Sequence, residues 1–122
     1  MGALFQMTMT KGQGTPLYMA PEILSGQKRY SKAIDVYSYG ILMTCVWNNG
    51  LVPYSEYNFQ NPLEMQNAIM TGIRPDLHSD CPESLVSLMN TCWHPNPTER
   101  MPFSNICAAL HDIIAEYLIQ QP

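Results

Sequence analysis

Hydrophobic residues along this chain recur with the period of an α-helix, and no stretch alternates as a strand would. The most regular stretch lies near the end and has apolar side chains three or four residues apart: Phe103, Ile106, Cys107, Leu110, Ile113, Ile114, Tyr117 and Leu118. A second stretch opens at Pro82 and carries one apolar stripe: Leu85, Leu88, Met89 and Cys92. Both patterns predict amphipathic helices that bury one face.

Residues 33–47 differ from these stretches because they are apolar on every face. Asp35 is the only charged residue among them. A helix that is apolar all round belongs at the centre of a larger body. The turn-forming sequence Asn48-Asn49-Gly50, which tolerates positive φ, is expected to end this helix.

Proline and cap residues mark two shorter helices. Pro21 suits the first position of one of them. Asn61 is expected to cap another, which begins at Pro62, has Glu64 reaching back toward the cap and ends at Gly72. Together these patterns predict an all-α fold of about five helices.

The composition indicates that much of this helical surface faces other protein. Of the 122 residues, 46% are hydrophobic and only 13% are charged, about half the usual charged fraction. The chain is long enough for one domain at most. Such a composition is typical of one part of a larger protein domain.

The charge pattern argues against nucleic-acid and membrane partners. The net charge is -4, and the six basic residues form no stripe for phosphate backbones or anionic lipid. No apolar run approaches the ~20 residues of a membrane span, and residues 1–9 lack the features of a signal peptide. We expect a cytoplasmic chain whose partners are proteins.

The sequence contains four cysteines at wide and irregular spacing: Cys45, Cys81, Cys92 and Cys107. Most of them sit among apolar residues, so we expect reduced, buried thiols. A zinc site built from Cys92, His94 and either His78 or His111 would lack any recognisable pair spacing. We therefore expect no metal.

Three short signatures follow one another along the chain, at residues 14–22, 35–40 and 92–103. In this order they resemble the C-terminal lobe of the eukaryotic protein kinase domain over about residues 8–115, where Ala-Pro-Glu at 20–22 closes the activation segment. Thr15 is typical of serine/threonine kinases, whereas Cys92-Trp93 resembles the tyrosine-kinase branch. The mixture resembles the tyrosine-kinase-like group of serine/threonine kinases. One departure is Met101, where the family commonly has proline.

The resemblance implies a substrate-positioning segment made of Gly14, Thr15, Pro16, Leu17 and Tyr18. Taken alone, its first three residues would form a simple turn with a hydroxyl. Followed by Ala-Pro-Glu, they resemble the floor under the substrate, where the family's threonine hydrogen-bonds the catalytic aspartate and a lysine.

Thr8 and Thr10 fall where activation loops of the family are often phosphorylated. Phosphate orders such a loop only if arginine side chains bind it. The 122 residues contain no catalytic loop that would provide such an arginine. Of the two interpretations, phosphorylation sites or an unmodified arm, we favour the second for this chain.

Asp35 has two interpretations. It could point to water at the start of its helix, stabilised by the dipole. The resemblance implies instead that it is buried, since the matching aspartate of the family accepts hydrogen bonds from backbone N–H groups of the catalytic loop. Burial without a partner would raise its pKa.

Glu22 and Arg100 would each be a surface charge if taken alone. The resemblance implies that they form a buried ion pair between the activation segment and the last helices, with Trp93 as a structural residue nearby. A planar guanidinium can hold a carboxylate through two hydrogen bonds, which lysine cannot do. This role is architectural rather than catalytic.

The nucleotide-handling motifs of a kinase do not occur in these residues: Gly-x-Gly-x-x-Gly, Val-Ala-x-Lys, His-Arg-Asp and Asp-Phe-Gly. We therefore expect an incomplete kinase-like fold without the N-terminal lobe and catalytic loop. Residues 1–13 would be a flexible remnant of the activation loop, 14–119 the partial lobe and 120–122 a tail.

The resemblance implies that the full family member transfers the γ-phosphate of ATP, with magnesium, to serine, threonine or tyrosine of proteins. This chain would carry only the substrate-positioning and scaffold part, with no catalytic residue and no cofactor, and would be inactive alone. The alternative is a non-catalytic interaction module, derived from a kinase, that binds protein partners through exposed apolar surface.

Overall fold

The computed structural model describes residues 17–27, 29–77 and 80–120. The ordered elements of that part are five α-helices and one 3₁₀ helix: α1 (Pro21–Leu24), α2 (Lys32–Trp47), α3 (Pro62–Met70), α4 (Glu83–Cys92), the 3₁₀ helix (Pro97–Glu99) and α5 (Phe103–Gln120). No strand occurs among these residues. The prediction of an all-α fold is confirmed.

Helix α2 is the centre of the fold, as its apolar surface predicts. Its first half is buried through Ile34, Val36 and Tyr37, and one face packs against Met89 of α4. The C-terminal end of α2 is less covered, and Val46 there is 70% exposed. Helix α2 is therefore buried along its first half and open along part of its second.

Helices α2 and α4 approach closely because Gly40 has no side chain. A Cβ atom at position 40 would lie only 2.9 Å from the Cβ atom of Cys92. The close approach allows Val36, Leu88, Cys92 and Ile106 to form one buried cluster that joins α2, α4 and α5. Packing at this density tolerates little added volume.

Cap residues set the helix ends where the sequence predicts them. The Oδ1 atom of Asn61 accepts the N–H of Glu64 at 2.8 Å, and the Glu64 carboxylate accepts the N–H of Gln60 at 3.0 Å. Glu64 thus reaches one residue before the cap. Asn49 and Gly72, which follow α2 and α3, adopt φ values of 59° and 114°. These positive values lie in the region that Asn and Gly tolerate best.

Helix α5 departs from the expectation that its whole apolar stripe is buried. Ile106 is fully buried, but Ile114, Tyr117 and Leu118 are exposed. The reason is length: α4 has 10 residues and α5 has 18, so they span about 15 and 27 Å respectively. The C-terminal part of α5 runs past its neighbour.

None of the helices in the described residues has the length and apolarity that crossing a bilayer requires.

Candidate substrate-positioning site and its anchor

The predicted substrate-positioning segment is described only in part. Gly14, Thr15 and Pro16 lie outside the described residues, as do Thr8 and Thr10 of the preceding arm. Leu17 and Tyr18 are described, and both are half-buried. The geometry of this segment is therefore that of its last residues, which lead into α1.

The main chain at Tyr18 is fastened to helix α2. The hydroxyl of Ser38, which is itself buried, donates to the carbonyl oxygen of Tyr18 at 2.8 Å and to that of Ile34 at 3.3 Å. Burial, followed by the neighbouring Cys45 thiol, raises the pKa of the Tyr18 phenol. Ala20, two residues on, has no exposed surface. The segment is thus held on the central helix by main-chain and side-chain contacts together.

Glu22 of α1 and Arg100 form a two-point ion pair. Arg100 Nη1 donates to Glu22 Oε2 at 2.6 Å, and Arg100 Nη2 donates to Glu22 Oε1 at 2.8 Å. The Arg100 side chain is fully buried and that of Glu22 is 11% exposed. Because both charges have left water, each depends on the other for compensation.

The remaining donors of Arg100 bind main-chain oxygens from two other parts of the chain. Its Nε donates to the carbonyl of His94 at 2.8 Å, and Nη1 also donates to the carbonyl of Ala33 at 3.0 Å. The guanidinium therefore joins α1, the start of α2 and the turn after α4. This arrangement fixes the position of the segment that precedes α1.

Tyr37 lies between two guanidinium groups. The Cζ atoms of Arg74 and Arg100 are each 5.0 Å from the centroid of the Tyr37 ring. This distance is within the range of cation–π attraction. Burial raises the pKa of Tyr37, so the ring stays neutral and offers its π electrons to both cations.

Arg74 links the end of α3 to the end of α4 through main-chain oxygens. Its Nε and Nη2 donate to the carbonyl of Trp93 at 3.3 and 3.2 Å, and its Nη1 donates to the carbonyl of Ile69 at 3.0 Å. Trp93 is buried, and its indole N–H donates to Asn90 at 3.0 Å. The structure thus places Trp93 in the core beside the Arg74 and Arg100 network.

Asp35 is buried, with 3% of its surface exposed. Its Oδ2 atom accepts a hydrogen bond from the hydroxyl of Tyr30. Its Oδ1 atom is buried and has no hydrogen-bond partner among the described residues. Burial raises the pKa of Asp35. The interpretation of Asp35 as a carboxylate that points into water is therefore wrong.

The expectation of buried cysteines is correct for one residue and wrong for another. Cys92 is buried, Cys45 and Cys81 are half-buried, and Cys107 is exposed. Cys107 lies on α5, where the neighbouring helix does not cover its side of the stripe. The described residues contain no group of three or more His, Cys, Asp or Glu side chains placed to hold a metal ion. His78, one of the residues considered for zinc, lies outside them.

Sequence reasoning missed the roles of Ser38, Tyr37 and Arg74. Ser38 is a polar residue inside an otherwise apolar helix, and that contrast could have singled it out. Arg74 bonds to carbonyl oxygens, which every residue possesses, so no residue type in the sequence indicates its partners. The stacking of both guanidiniums on Tyr37 follows only from the fold.

The comparisons with known proteins identify the family. The protein tyrosine and serine/threonine kinase family matches residues 5–110. The match covers most of the chain, and the chain belongs to this family. The predicted kinase resemblance is confirmed.

Several curated kinases are similar to the chain. Dual specificity protein kinase shkA of Dictyostelium discoideum is 39% identical over 109 residues, which cover 88% of this chain and 20% of that protein. Stress-activated protein kinase alpha of the same organism is 37% identical over 119 residues, 90% of this chain and 18% of that protein. RGS domain-containing serine/threonine-protein kinase A, also from Dictyostelium discoideum, is 34% identical over 106 residues, 87% of this chain and 9% of that protein. The chain spans a fifth or less of the length of these relatives.

Proposed function

We propose that this chain supplies the substrate-positioning and scaffold part of a serine/threonine protein kinase domain. The observation that carries the proposal is the buried two-point pair between Glu22 and Arg100. It ties α1, which follows the predicted substrate-positioning segment, to the turn between α4 and α5. The bond from Ser38 to the carbonyl of Tyr18 supports the same role, because it holds the segment on the central helix.

Protein kinases use ATP and magnesium, and they position and stabilise the transferred phosphoryl group with a set of loop residues and a lysine. The 122 residues contain none of the motifs that provide these groups. We propose that phosphoryl transfer needs them from elsewhere and that this chain alone transfers no phosphate. In a complete domain, the acceptor would be a serine or threonine of a protein, and the site would be cytoplasmic. The exposed free thiol of Cys107 fits a reducing compartment.

A chimaera tests the positioning role. The matching 109-residue segment of shkA is replaced by this chain, so that shkA provides the nucleotide-binding parts. We expect the chimaera to phosphorylate serine or threonine peptides. We expect Glu22→Gln or Arg100→Lys to lower the rate of phosphorylation by about tenfold or more, because loss of the pair would displace the segment that positions the substrate. Arg29→Lys, at an exposed arginine outside the pair, is the matched control. A folded chimaera without activity would overturn the proposal.

The isolated chain is measured beside the chimaera with magnesium ATP and a generic protein substrate. We expect no phosphate transfer above a sample that contains no chain. Transfer that survives further purification and scales with the amount of chain would contradict the proposed inactivity, while leaving the positioning role intact.

A second candidate function is a non-catalytic interaction module, and an open groove favours it. A cavity of about 630 Å³ lies beside the second half of α2, with seven apolar residues on its walls: Leu42, Met43, Val46, Trp47, Leu85, Met89 and Leu110. Exposed apolar surface of this kind is typical of protein association. The groove lies where the sequence leads us to expect an uncovered face.

Matched substitutions distinguish this candidate. Val46 in the groove is 70% exposed and Leu63 outside it is 63% exposed. If the groove mediates association, Val46→Lys should abolish self-association and reduce binding of an apolar fluorescent dye, whereas Leu63→Lys should leave both unchanged. A folded monomer with little dye binding would remove the support for the module.

A further inference from the structure

The loop between α1 and α2 carries a tyrosine that is exposed to solvent but whose hydroxyl contacts a buried group. Tyr30 is 49% exposed, yet its hydroxyl donates to the buried carboxylate of Asp35 in the first turn of α2. The flanking Arg29 is exposed, and Ser31 has an extended backbone with φ −146° and ψ 159°. Tyr30 is therefore an accessible residue next to an extended Ser31, and its hydroxyl contacts the start of α2.

The contact depends on the proton of the Tyr30 hydroxyl. The phenol is the donor and the Asp35 carboxylate is the acceptor. A phosphate ester on the same oxygen removes that donor and adds a charge of about −1.5 to −2 at neutral pH. The added charge would face a carboxylate that is already buried, so attraction becomes repulsion.

We propose that Tyr30 is a phosphorylation site and that its phosphate opens the contact with Asp35, releasing the loop between α1 and α2 from the central helix. A separate tyrosine-specific kinase catalyses the transfer, with magnesium ATP as the phosphoryl donor. The phenolic oxygen forms a bond to the γ-phosphorus, the bond from that phosphorus to ADP breaks, and the phenolic proton leaves to the base of that kinase. This inference stands independently of whether the chain positions a kinase substrate.

Backbone conformation makes Tyr30 a better acceptor than the equally exposed Tyr117. The two residues are 49% and 46% exposed. Tyr117 lies inside α5, so its backbone must unwind before an enzyme can draw its hydroxyl into an active site. Tyr30 lies outside the helices, so its hydroxyl can leave Asp35 without the unwinding of a helix.

The first test is site mapping on the whole chain. The protein is incubated with a broad-specificity tyrosine kinase and magnesium ATP, and the rate at each tyrosine is followed by mass spectrometry. We expect Tyr30 to be modified about tenfold faster than Tyr117, since the difference is the opening of helical hydrogen bonds. Modification of Tyr117 with none at Tyr30 would overturn the proposal.

The second test asks whether the phosphate opens the loop. Hydrogen exchange of the segment 25–35 is compared before and after phosphorylation, with α4 as the internal control. We expect exchange to become about tenfold faster in this segment, because a hydrogen bond to a charged group is lost, and to stay unchanged in α4. Phosphorylation of Tyr30 without any change in the hydrogen exchange of this segment would contradict the proposal.

Two variants separate charge from the loss of the donor. Tyr30→Phe removes the donor without adding charge, so it should speed exchange less than phosphate does. Asp35→Asn removes the opposing charge, so phosphorylation should open the loop less in that variant. Equal opening by phenylalanine and by phosphate would show that repulsion contributes nothing and would contradict the mechanism.

Discussion

At the scale of single residues, Arg100 has the most demanding set of partners. Its guanidinium binds a carboxylate and two carbonyl oxygens, and it also lies over the Tyr37 ring. The pairing with Glu22 was expected because the resemblance to the kinase C-terminal lobe implies it, whereas each residue taken alone would be a surface charge. The carbonyl and ring contacts were not, because they depend on which main-chain atoms the fold brings near.

Replacing Glu22 by Gln should lower the free energy of unfolding by about 3 to 5 kcal/mol, because Arg100 would remain buried without its compensating charge. Arg100→Lys should also destabilise, since lysine cannot bond to both oxygens at once. Urea unfolding followed by circular dichroism measures both effects. Arg29→Lys, at an exposed position, should change stability by less than about 0.5 kcal/mol. A loss as small as that control from Glu22→Gln would show that the pair is not structural.

The raised pKa of Asp35 predicts a specific pH dependence. Burial raises the pKa in the folded protein, so the folded state holds the proton more tightly than the unfolded state does. This contribution to stability is fully present below the unfolded pKa of about 3.9. It is lost as the pH rises through the folded pKa.

The difference in unfolding free energy between the native chain and Asp35→Asn measures this contribution. We expect the native chain to lose stability relative to the variant as the pH rises from about 4 toward neutrality. Asp112→Asn, at an exposed aspartate of α5, serves as the control. A difference that does not vary with pH would contradict the buried, proton-favouring site.

The cysteines should differ in reactivity according to burial. Burial raises the pKa of the Cys92 thiol to about 12, and only the thiolate reacts readily. At pH 8 an aromatic disulfide reagent should therefore modify exposed Cys107 first and Cys92 only after unfolding. Mass spectrometry of the labelled protein gives the order, and early labelling of Cys92 in folded protein would refute it.

At the scale of elements, the sequence was informative where local chemistry sets the structure. The cap at Asn61 and the positive φ of Asn49 depend on neighbouring residues only, and both were predictable. The burial of α5 depends on the length of α4, a distant element. A periodic stripe marks which side of a helix can be buried, but it does not state how far along the helix a neighbour extends.

The crossing of α2 and α4 should be sensitive to a single methyl group. Gly40→Ala would place its Cβ 2.9 Å from that of Cys92, and neither atom can rotate away. We expect a net loss of about 2 kcal/mol in unfolding free energy from overpacking, despite the better helix propensity of alanine. Ser87→Ala, on the exposed side of α4, is the control and should cost nothing. Thermal unfolding distinguishes them, and an unchanged midpoint for Gly40→Ala would show that the helices separate freely.

At the scale of the whole molecule, the order of the three signatures predicted the family, and the family match confirms it. The open groove beside Val46 was expected in outline, since a helix that is apolar on every face needs cover on every face. Its volume and walls could not be read from the sequence, because Leu85 and Leu110 come from two other helices. The loop contact of Tyr30 with Asp35 was not foreseen either, since an exposed tyrosine shows no sign of where its hydroxyl will lie.

The unmatched lengths of α4 and α5 give the molecule a lever. Ile106 is clamped in the core, and α5 continues for 14 residues beyond it to Gln120, about 21 Å along a stiff rod. A lateral force on the C-terminal end of α5 would therefore produce a torque about Ile106. A partner bound to the C-terminal part of α5 would therefore act on the packing around Val36 and Cys92.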